Sequence, residues 1–311
     1  MNIAVKTNDL FVTVDGLNTR YFEEGPFVEG PFVEGPFAEG AFGEGGGVPA
    51  IMLHGSSLGS SADVFRRNVA ALGKQGIRAI AFDLPGFGKT DPSEDLGGAY
   101  RKKFILRFMD ALGLRRAALI GHSSSGNPTA SLALENPDRV SHVIILGTGS
   151  LLPPLETAGA KVGGREESAQ ARLEDRMVKQ EPTLEDTRAL LAANLFHHEL
   201  ITDEELMLRH QNSIGRCFTE FVRRHAAGAE GGGNKGGKVS VPMWQRLVEI
   251  KQPLLLIFGR NDRARAEERA TLLKERYPQL NLHFAEGCKH LVPWDAADLF
   301  HRLAVPFLKG K

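Results

Sequence analysis

Ala117-Ala118-Leu119-Ile120-Gly121-His122-Ser123-Ser124-Ser125-Gly126 runs from an apolar stretch into the Ala/Leu-rich segment Pro128 to Leu134. An apolar run of strand length, then small residues, then a helix-forming segment describes a sharp strand-to-helix bend. A serine at such a bend is held in a strained turn that exposes its hydroxyl and aims a helix N-terminus at the reacting centre. Three serines compete for the place, and sterics separate them: the residues two before and two after must be small for the turn to close. Ser123 has Gly121 and Ser125 there, whereas Ser124 would set His122 in one crowded position and Ser125 would set Asn127 in the other. Ser123 is the candidate nucleophile, on a G-x-S-x-G pattern whose second glycine is replaced by Ser125.

Strand and helix patterns alternate around this bend. Strands are predicted at Pro49 to Leu53, Ile77 to Phe82, Ala117 to Ile120 and Val140 to Leu146, with helices at Ser61 to Gln75, Tyr100 to Leu112 and Asn127 to Asn136. The same alternation resumes with strands at Leu254 to Phe258 and Leu280 to Ala285 and helices at Ala264 to Arg276 and Ala297 to Leu308. Short apolar strands separated by helices predict an α/β fold with a mostly parallel central sheet covered on both faces. Residues 10–22 read as an edge hairpin turning at Asp15-Gly16. A five-residue repeat follows, from Glu24-Gly-Pro-Phe-Val to Glu39-Gly-Ala-Phe-Gly, and its proline and glycine content makes 24–45 an expanded surface loop.

Residues 151–246 change character. They show no convincing strand and carry helix starts at Thr183-Leu-Glu-Asp and Thr202-Asp-Glu-Glu, the second a capping box of Thr202 and Glu205. Ala227 to Lys238 is rich enough in glycine to predict a mobile loop. The expected organisation is a core in two parts, 1–150 and 247–311, with 151–246 inserted as a helical lid.

A chain of 311 residues buries a full core without staples. Lys+Arg and Asp+Glu balance at 38 each, which removes the electrostatic case for nucleic acid and leaves a small-molecule partner. The two cysteines, Cys217 and Cys288, make no disulfide framework, and Met1 to Leu10 lacks the zones of a signal peptide, so a cytoplasmic location is expected. No apolar stretch approaches the roughly 20 residues of a membrane span, so no membrane partner is expected.

A serine hydroxyl is a weak nucleophile near neutral pH and needs an imidazole base that a carboxylate holds in place. Asp262, in Phe258-Gly259-Arg260-Asn261-Asp262 at the end of one predicted strand, is the candidate acid. His290, in Gly287-Cys288-Lys289-His290 after the next, is the candidate base. The tetrahedral oxyanion of acyl transfer needs two preorganised N–H donors. Ser124 follows the nucleophile and supplies one; Ser56, in His54-Gly55-Ser56-Ser57 directly after Ile51-Met52-Leu53, supplies the other. His54 and His122 precede these donors and the nucleophile, and both read as supports of the site.

Collectively, His54-Gly55, Asp83-Leu-Pro-Gly-Phe-Gly-Lys-Thr90, Gly121 to Gly126, Asp262 and His290 resemble the α/β-hydrolases over nearly the whole chain, the repeat excepted. The chain order Ser, Asp, His is theirs. Within that superfamily the chain is most similar to the meta-cleavage-product hydrolases, serine enzymes that cut a carbon–carbon bond in 2-hydroxy-6-oxo-dienoates. His54-Gly55-Ser56, Gly86-Phe87-Gly88-Lys89-Thr90, Cys288-x-His290 and Trp294 carry that closer likeness. Leu200-Ile201-Thr202-Asp203-Glu204-Glu205-Leu206 leads to Arg209, which matches the arginine that binds the substrate carboxylate. The chain departs from the branch at His122 where asparagine is usual, at Ser125 where glycine is, at Leu291 where tryptophan is, and at Ser57-Leu58 where Gly-Pro is.

The resemblance implies an α/β-hydrolase fold with a lid, no metal or organic cofactor, and a homodimer. It implies a substrate pocket that includes Arg209, His122, Ser57, Leu291 and Trp294. It further implies that Ser123 attacks a carbonyl, or that His290 activates water to do so, with Arg209 on the carboxylate of a small acid from aromatic-compound degradation. The reaction it favours is carbon–carbon hydrolysis after ketonisation of a dienol keto acid. A carboxylesterase for monoesters of aromatic diacids would need the same triad and arginine, and the alternative of another class is a ligand-binding receptor that has kept the hydrolase pocket but lost useful turnover.

Overall fold

The hairpin forms as β1 (Leu10–Val14) and β2 (Leu17–Glu24). Asp15 and Gly16 take left-handed backbone, φ 53° and 80°, as a two-residue turn between twisted strands requires. The computed structural model describes residues 8–26, 48–157, 160–162, 169–231 and 241–310. The repeat at 24–45 lies outside them from residue 27 on, as do 232–238 of the glycine-rich stretch.

Alternation then proceeds as expected, through β3 (Ala50–Leu53), α1 (Arg66–Lys74), β4 (Ala79–Phe82), α2 (Gly98–Ala111), β5 (Ala117–His122), α3 (Gly126–Glu135) and β6 (Val140–Leu146). The inserted segment contributes a short hairpin, β7 (Leu155–Thr157) with β8 (Ala160–Val162), and α4 (Ala169–Met177), α5 (Leu184–Asn194), α6 (Asp203–Gln211), α7 (Gly215–Gly231) and α8 (Met243–Arg246). The core resumes with β9 (Leu254–Gly259), α9 (Ala266–Arg276), β10 (Asn281–Ala285), α10 (Val292–Asp295) and α11 (Ala297–Leu308).

Eight strands form one sheet in the order β1-β2-β4-β3-β5-β6-β9-β10, and β2 alone runs against its neighbours. β3, β4 and β5 are buried at every position, as strands covered on both faces must be. Successive side chains serve opposite faces. Ile51 and Leu53 pack with Phe104 and Phe108 of α2, Leu132 of α3 and Leu273 of α9. Ala50 and Met52 pack with Val69 and Leu72 of α1 and with Phe300 and Leu308 of α11. Burying each of the larger side chains stabilises the fold by about 1.5–3 kcal/mol.

Four local expectations are corrected. The helix predicted from Ser61 is a short 3-10 turn, Ala62–Phe65, capped by Ser61 and followed by α1. α9 starts at Ala266 instead of Ala264, because Ala264 and Arg265 sit in left-handed backbone, φ 56° and 52°. The inserted segment does hold strands, β7 and β8, each too short for an alternating pattern to show in sequence. α7 runs into the stretch expected to be loop, as far as Gly231: Ala227, Ala229 and Glu230 are good helix formers, and the one glycine among them, Gly228, costs about 1 kcal/mol.

The capping box at Thr183 is complete, with Asp186 returning a bond to the Thr183 N–H. That at Thr202 is half formed: its hydroxyl accepts from the Glu205 N–H, while the Glu205 carboxylate turns to Arg67 at 3.2 Å. Among the described residues no helix is long and apolar enough to cross a membrane.

Candidate active site

Ser123 directly follows β5 with φ 56°, a left-handed conformation that is costly for a residue with a Cβ. A 3-10 turn, Ser123–Ser125, feeds directly into α3. The position that cannot carry a side chain on the helix side is Gly126, where a Cβ would lie 2.7 Å from Thr148 Cβ. Ser125 is tolerated two after the nucleophile because its hydroxyl is buried and donates to the His54 carbonyl. The departure from G-x-S-x-G thus ties the nucleophile turn to the loop after β3.

That loop presses on the nucleophile. A Cβ on Gly55 would lie 3.0 Å from Ser123 Cβ and 3.3 Å from its Oγ, so only glycine lets the backbone come so close. Ser56 follows immediately, and Ser124 follows Ser123 at the start of the turn into α3. His54 is wholly buried, and burial pushes its pKa down to about 3 against a bond to Gly55 O. Its neutral ring accepts from the Leu84 N–H at 3.0 Å and reaches the Gly55 carbonyl at 2.6 Å.

His290 and Asp262 arrive from the ends of adjacent strands, β10 and β9. His290 Nε2 lies 2.8 Å from Ser123 Oγ, and its Nδ1 lies 3.0 Å from Asp262 Oδ2. The other Asp262 oxygen accepts the Arg263 N–H at 2.7 Å. Burial pushes the Asp262 carboxyl up, but His290 and Arg263 outweigh it and hold the group below the ordinary 3.8. For His290, burial and then the Arg263 charge lower the pKa from 6.5, although Asp262 works the other way. The imidazole is therefore neutral near pH 7, with Nδ1–H toward Asp262 and the Nε2 lone pair toward Ser123, as a general base requires.

The inserted segment holds the base loop in place. The Asn194 carbonyl at the end of α5 accepts both His290 N–H and Leu291 N–H at 3.1 Å. Asp295 accepts Lys289 N–H at 2.9 Å, Phe196 N–H at 2.9 Å and His197 N–H at 3.0 Å. Glu174 of α4 accepts the Leu58 N–H at 3.2 Å, which tethers the loop after β3 to the same segment.

Two small adjoining cavities share Arg209, Leu191 and Leu291. The inner one reaches Ser123, His290, His122, Ser57 and Asn194; the outer one is walled by Trp294, Val64, Asn212 and Leu208. Arg209 donates to Ser57 Oγ at 3.1 Å, while its buried Nε has no partner, and the guanidinium forms no ion pair among the described residues. Burial pushes its pKa down to about 10, with Glu174 and Asp63 acting against the shift. His122 Nε2 lies 2.9 Å from the His290 carbonyl, so that nitrogen carries the proton; Nδ1 is left a buried acceptor without a partner. Trp294 stands in the outer cavity and donates to Val64 O at 2.9 Å.

Sequence reasoning missed Arg263 and Asn194. Arg263 adjoins Asp262 in sequence, yet its contacts come from α4, α5 and the His290 loop, which no local pattern connects. Asn194 acts through its backbone carbonyl, to which side-chain identity is blind.

Residues 49–297 match the alpha/beta hydrolase fold family, and the chain belongs to it. Among its relatives is a 2-hydroxy-6-oxononadienedioate/2-hydroxy-6-oxononatrienedioate hydrolase of Burkholderia vietnamiensis, 31% identical over 83% of this chain and 86% of that protein. Another is a 2-hydroxy-6-oxo-6-phenylhexa-2,4-dienoate hydrolase of Burkholderia cepacia, 32% identical over 84% of this chain and 88% of that one. The solved structure of a hydrolase of the latter description from Rhodococcus sp. strain RHA1 superposes with a TM-score of 0.72 at 19% identity, over 98% of this chain and 100% of that one, a likeness of fold alone.

Proposed function

We propose that this chain hydrolyses a carbon–carbon bond in a 2-hydroxy-6-oxo-dienoate, with residues 151–246 as the lid over the site. The observation that carries the reading is the hydrogen-bonded series Ser123, His290, Asp262 beside a half-buried arginine, Arg209, that has no carboxylate of its own among the described residues. Curated relatives that span most of the chain carry this activity in their names.

Arg209 and Ser57 take the substrate carboxylate, and the unpartnered Nδ1 of His122 accepts from the neighbouring enol hydroxyl. Leu291 lines the pocket beside them, and Trp294 closes its outer end. With the dienol ketonised, Ser123 Oγ gives its proton to His290 Nε2 and attacks the 6-oxo carbon, and the oxyanion is held by the Ser56 and Ser124 N–H groups. The carbon–carbon bond breaks as the dienolate leaves, His290 returns the proton, and water, activated by the same imidazole, releases the acyl group as a carboxylic acid. One water is consumed and two acids are formed.

The test is a choice of substrates. A yellow 2-hydroxy-6-oxo-dienoate loses its visible absorbance and yields a 2-hydroxydienoate plus a carboxylic acid; a monoester of an aromatic diacid is turned over far more slowly. Arg209→Gln raises KM for the dienoate by about 10- to 100-fold, the value of one charge-assisted bond. Rapid hydrolysis of the monoester with the dienoate left intact would make the chain a carboxylesterase.

A further inference from the structure

Among the described residues, Arg263 is a cation beside the reacting pair with no anion on its side-chain nitrogens. Its Nη2 lies 2.9 Å from His290 Nε2, and its Nη1 donates to the side-chain carbonyls of Asn194, at 2.6 Å, and of Gln170. All three acceptors are neutral, and among the described residues its guanidinium makes no hydrogen bond to a carboxylate. His290 Nε2 has a single lone pair once Nδ1–H faces Asp262, and two donors lie within reach of it: Ser123 Oγ at 2.8 Å and Arg263. While Arg263 donates to that nitrogen it cannot accept the serine proton, and an imidazolium formed there would meet a positive charge at hydrogen-bond distance. The structure therefore holds the base in a restrained state.

The restraint needs an acceptor to draw Arg263 away. Glu174 lowers the local positive charge, but its carboxylate serves the Leu58 N–H and Gln170 Nε2, at 3.2 and 3.1 Å. Arg209 reaches the inner cavity from α6, through Ser57, and is assigned to the carboxylate of the leaving fragment. A substrate divides at the scissile bond, so a second cation beside the same base is matched to charge on the other fragment. The substrates in the relatives' names bear either a second carboxylate or a phenyl group on that fragment, so they leave the choice open.

We propose that Arg263 is a specificity-determining latch: it rests on His290 and is released onto a carboxylate borne by the acyl fragment, so that the enzyme selects acyl groups with a terminal acid. This rests on Ser123 and His290 being the reacting pair and not on which bond they cleave. Swinging a guanidinium from neutral acceptors to a carboxylate exchanges weaker bonds for charge-assisted, bidentate ones, and leaves Nε2 to the serine.

Two activated esters of equal acyl length test it, mono-p-nitrophenyl adipate and p-nitrophenyl hexanoate, with kcat/KM read from nitrophenolate release. Wild type prefers the adipate by about tenfold or more, the worth of one such bond. In Arg263→Gln the preference collapses because adipate turnover falls while hexanoate turnover rises, the base having lost its restraint. Arg263→Lys keeps the charge without the fork and retains part of the preference. Fluorophosphonate labelling of Ser123 verifies that each variant is folded at the site. No preference in wild type, or an equal fall for both esters in Arg263→Gln with labelling intact, would overturn the proposal. The esters report on Ser123 and Arg263 even if the dienoate proves not to be the substrate, so the two readings fail separately.

Discussion

Ser123 shows what a single residue must give up to serve here. Its left-handed φ of 56° costs about 1–3 kcal/mol, supplied by the strand before it and the helix after it. His290 is the residue whose charge state is most finely placed. Asp262 and Glu174 favour its protonation, Arg263 opposes it, and the neutral ring of His122 stands beside it. Burial and Arg263 prevail, so its pKa lies below 6.5. A base works only when unprotonated; a lowered pKa therefore extends activity toward acid. The acid limb of a kcat/KM profile is expected to have its midpoint below pH 6.5, and Arg263→Gln is expected to move it upward. A midpoint unmoved by that substitution would show that Arg263 does not bear on the base.

At the scale of elements, the antiparallel strand β2 is joined to the loops that flank the site through one buried arginine. Arg20 is 1% exposed, and its guanidinium reaches Asp63 at 2.7 Å, Asp9 at 2.8 Å through Nε, and Asp83 at 3.4 Å. Asp63 and Asp83 are themselves bonded to Ser61 Oγ, at 2.7 Å, and to Ala62 N–H, at 2.6 Å, in the turn just beyond the loop after β3. Removing Arg20 leaves the wholly buried Asp83 without its cation, although Asp63 keeps Arg66 at 2.8 Å and Asp9 keeps Lys89, so Arg20→Leu is expected to lose about 3–5 kcal/mol in urea unfolding, far more than an exposed pair is worth. A loss below about 1 kcal/mol would mean that water reaches the cluster.

Elements of this kind differ in how well sequence announces them. β3, β5 and α3 were legible because apolar runs bounded by small residues admit few other structures, and Ser123 followed from sterics alone. Asp262 and His290 were legible through their positions after successive strands. Arg209 was reached only by resemblance, since its partners, Ser57 and the cavity, are distant in sequence. β7, β8 and the extended end of α7 were hidden because three-residue strands carry no period, and because a helix can absorb glycines that a composition argument assigns to loop. The Arg263 contact with His290 was hidden for another reason. It depends on where α4 and α5 come to rest over the sheet, which is a property of the assembled chain.

Across the whole molecule, the parallel sheet does the gathering. Strands β5, β9 and β10 point the same way, so the turns at their carboxyl ends bring Ser123, Asp262 and His290 together although 167 residues separate the first from the last. The inserted segment then bonds to the His290 loop through the Asn194 carbonyl, to Asp295 just beyond it through the Phe196 and His197 N–H groups, and to the loop after β3 through Glu174. Any motion of that segment is therefore felt at the base, which is where Arg263 also rests. The measurement that tests the central claim most directly is a single turnover of a yellow 2-hydroxy-6-oxo-dienoate, with enzyme in excess, in wild type and in Ser123→Ala. Wild type is expected to bleach the chromophore to a 2-hydroxydienoate and an acid, while Ser123→Ala binds the substrate and leaves its carbon–carbon bond intact. Cleavage by Ser123→Ala at the wild-type rate would contradict the account.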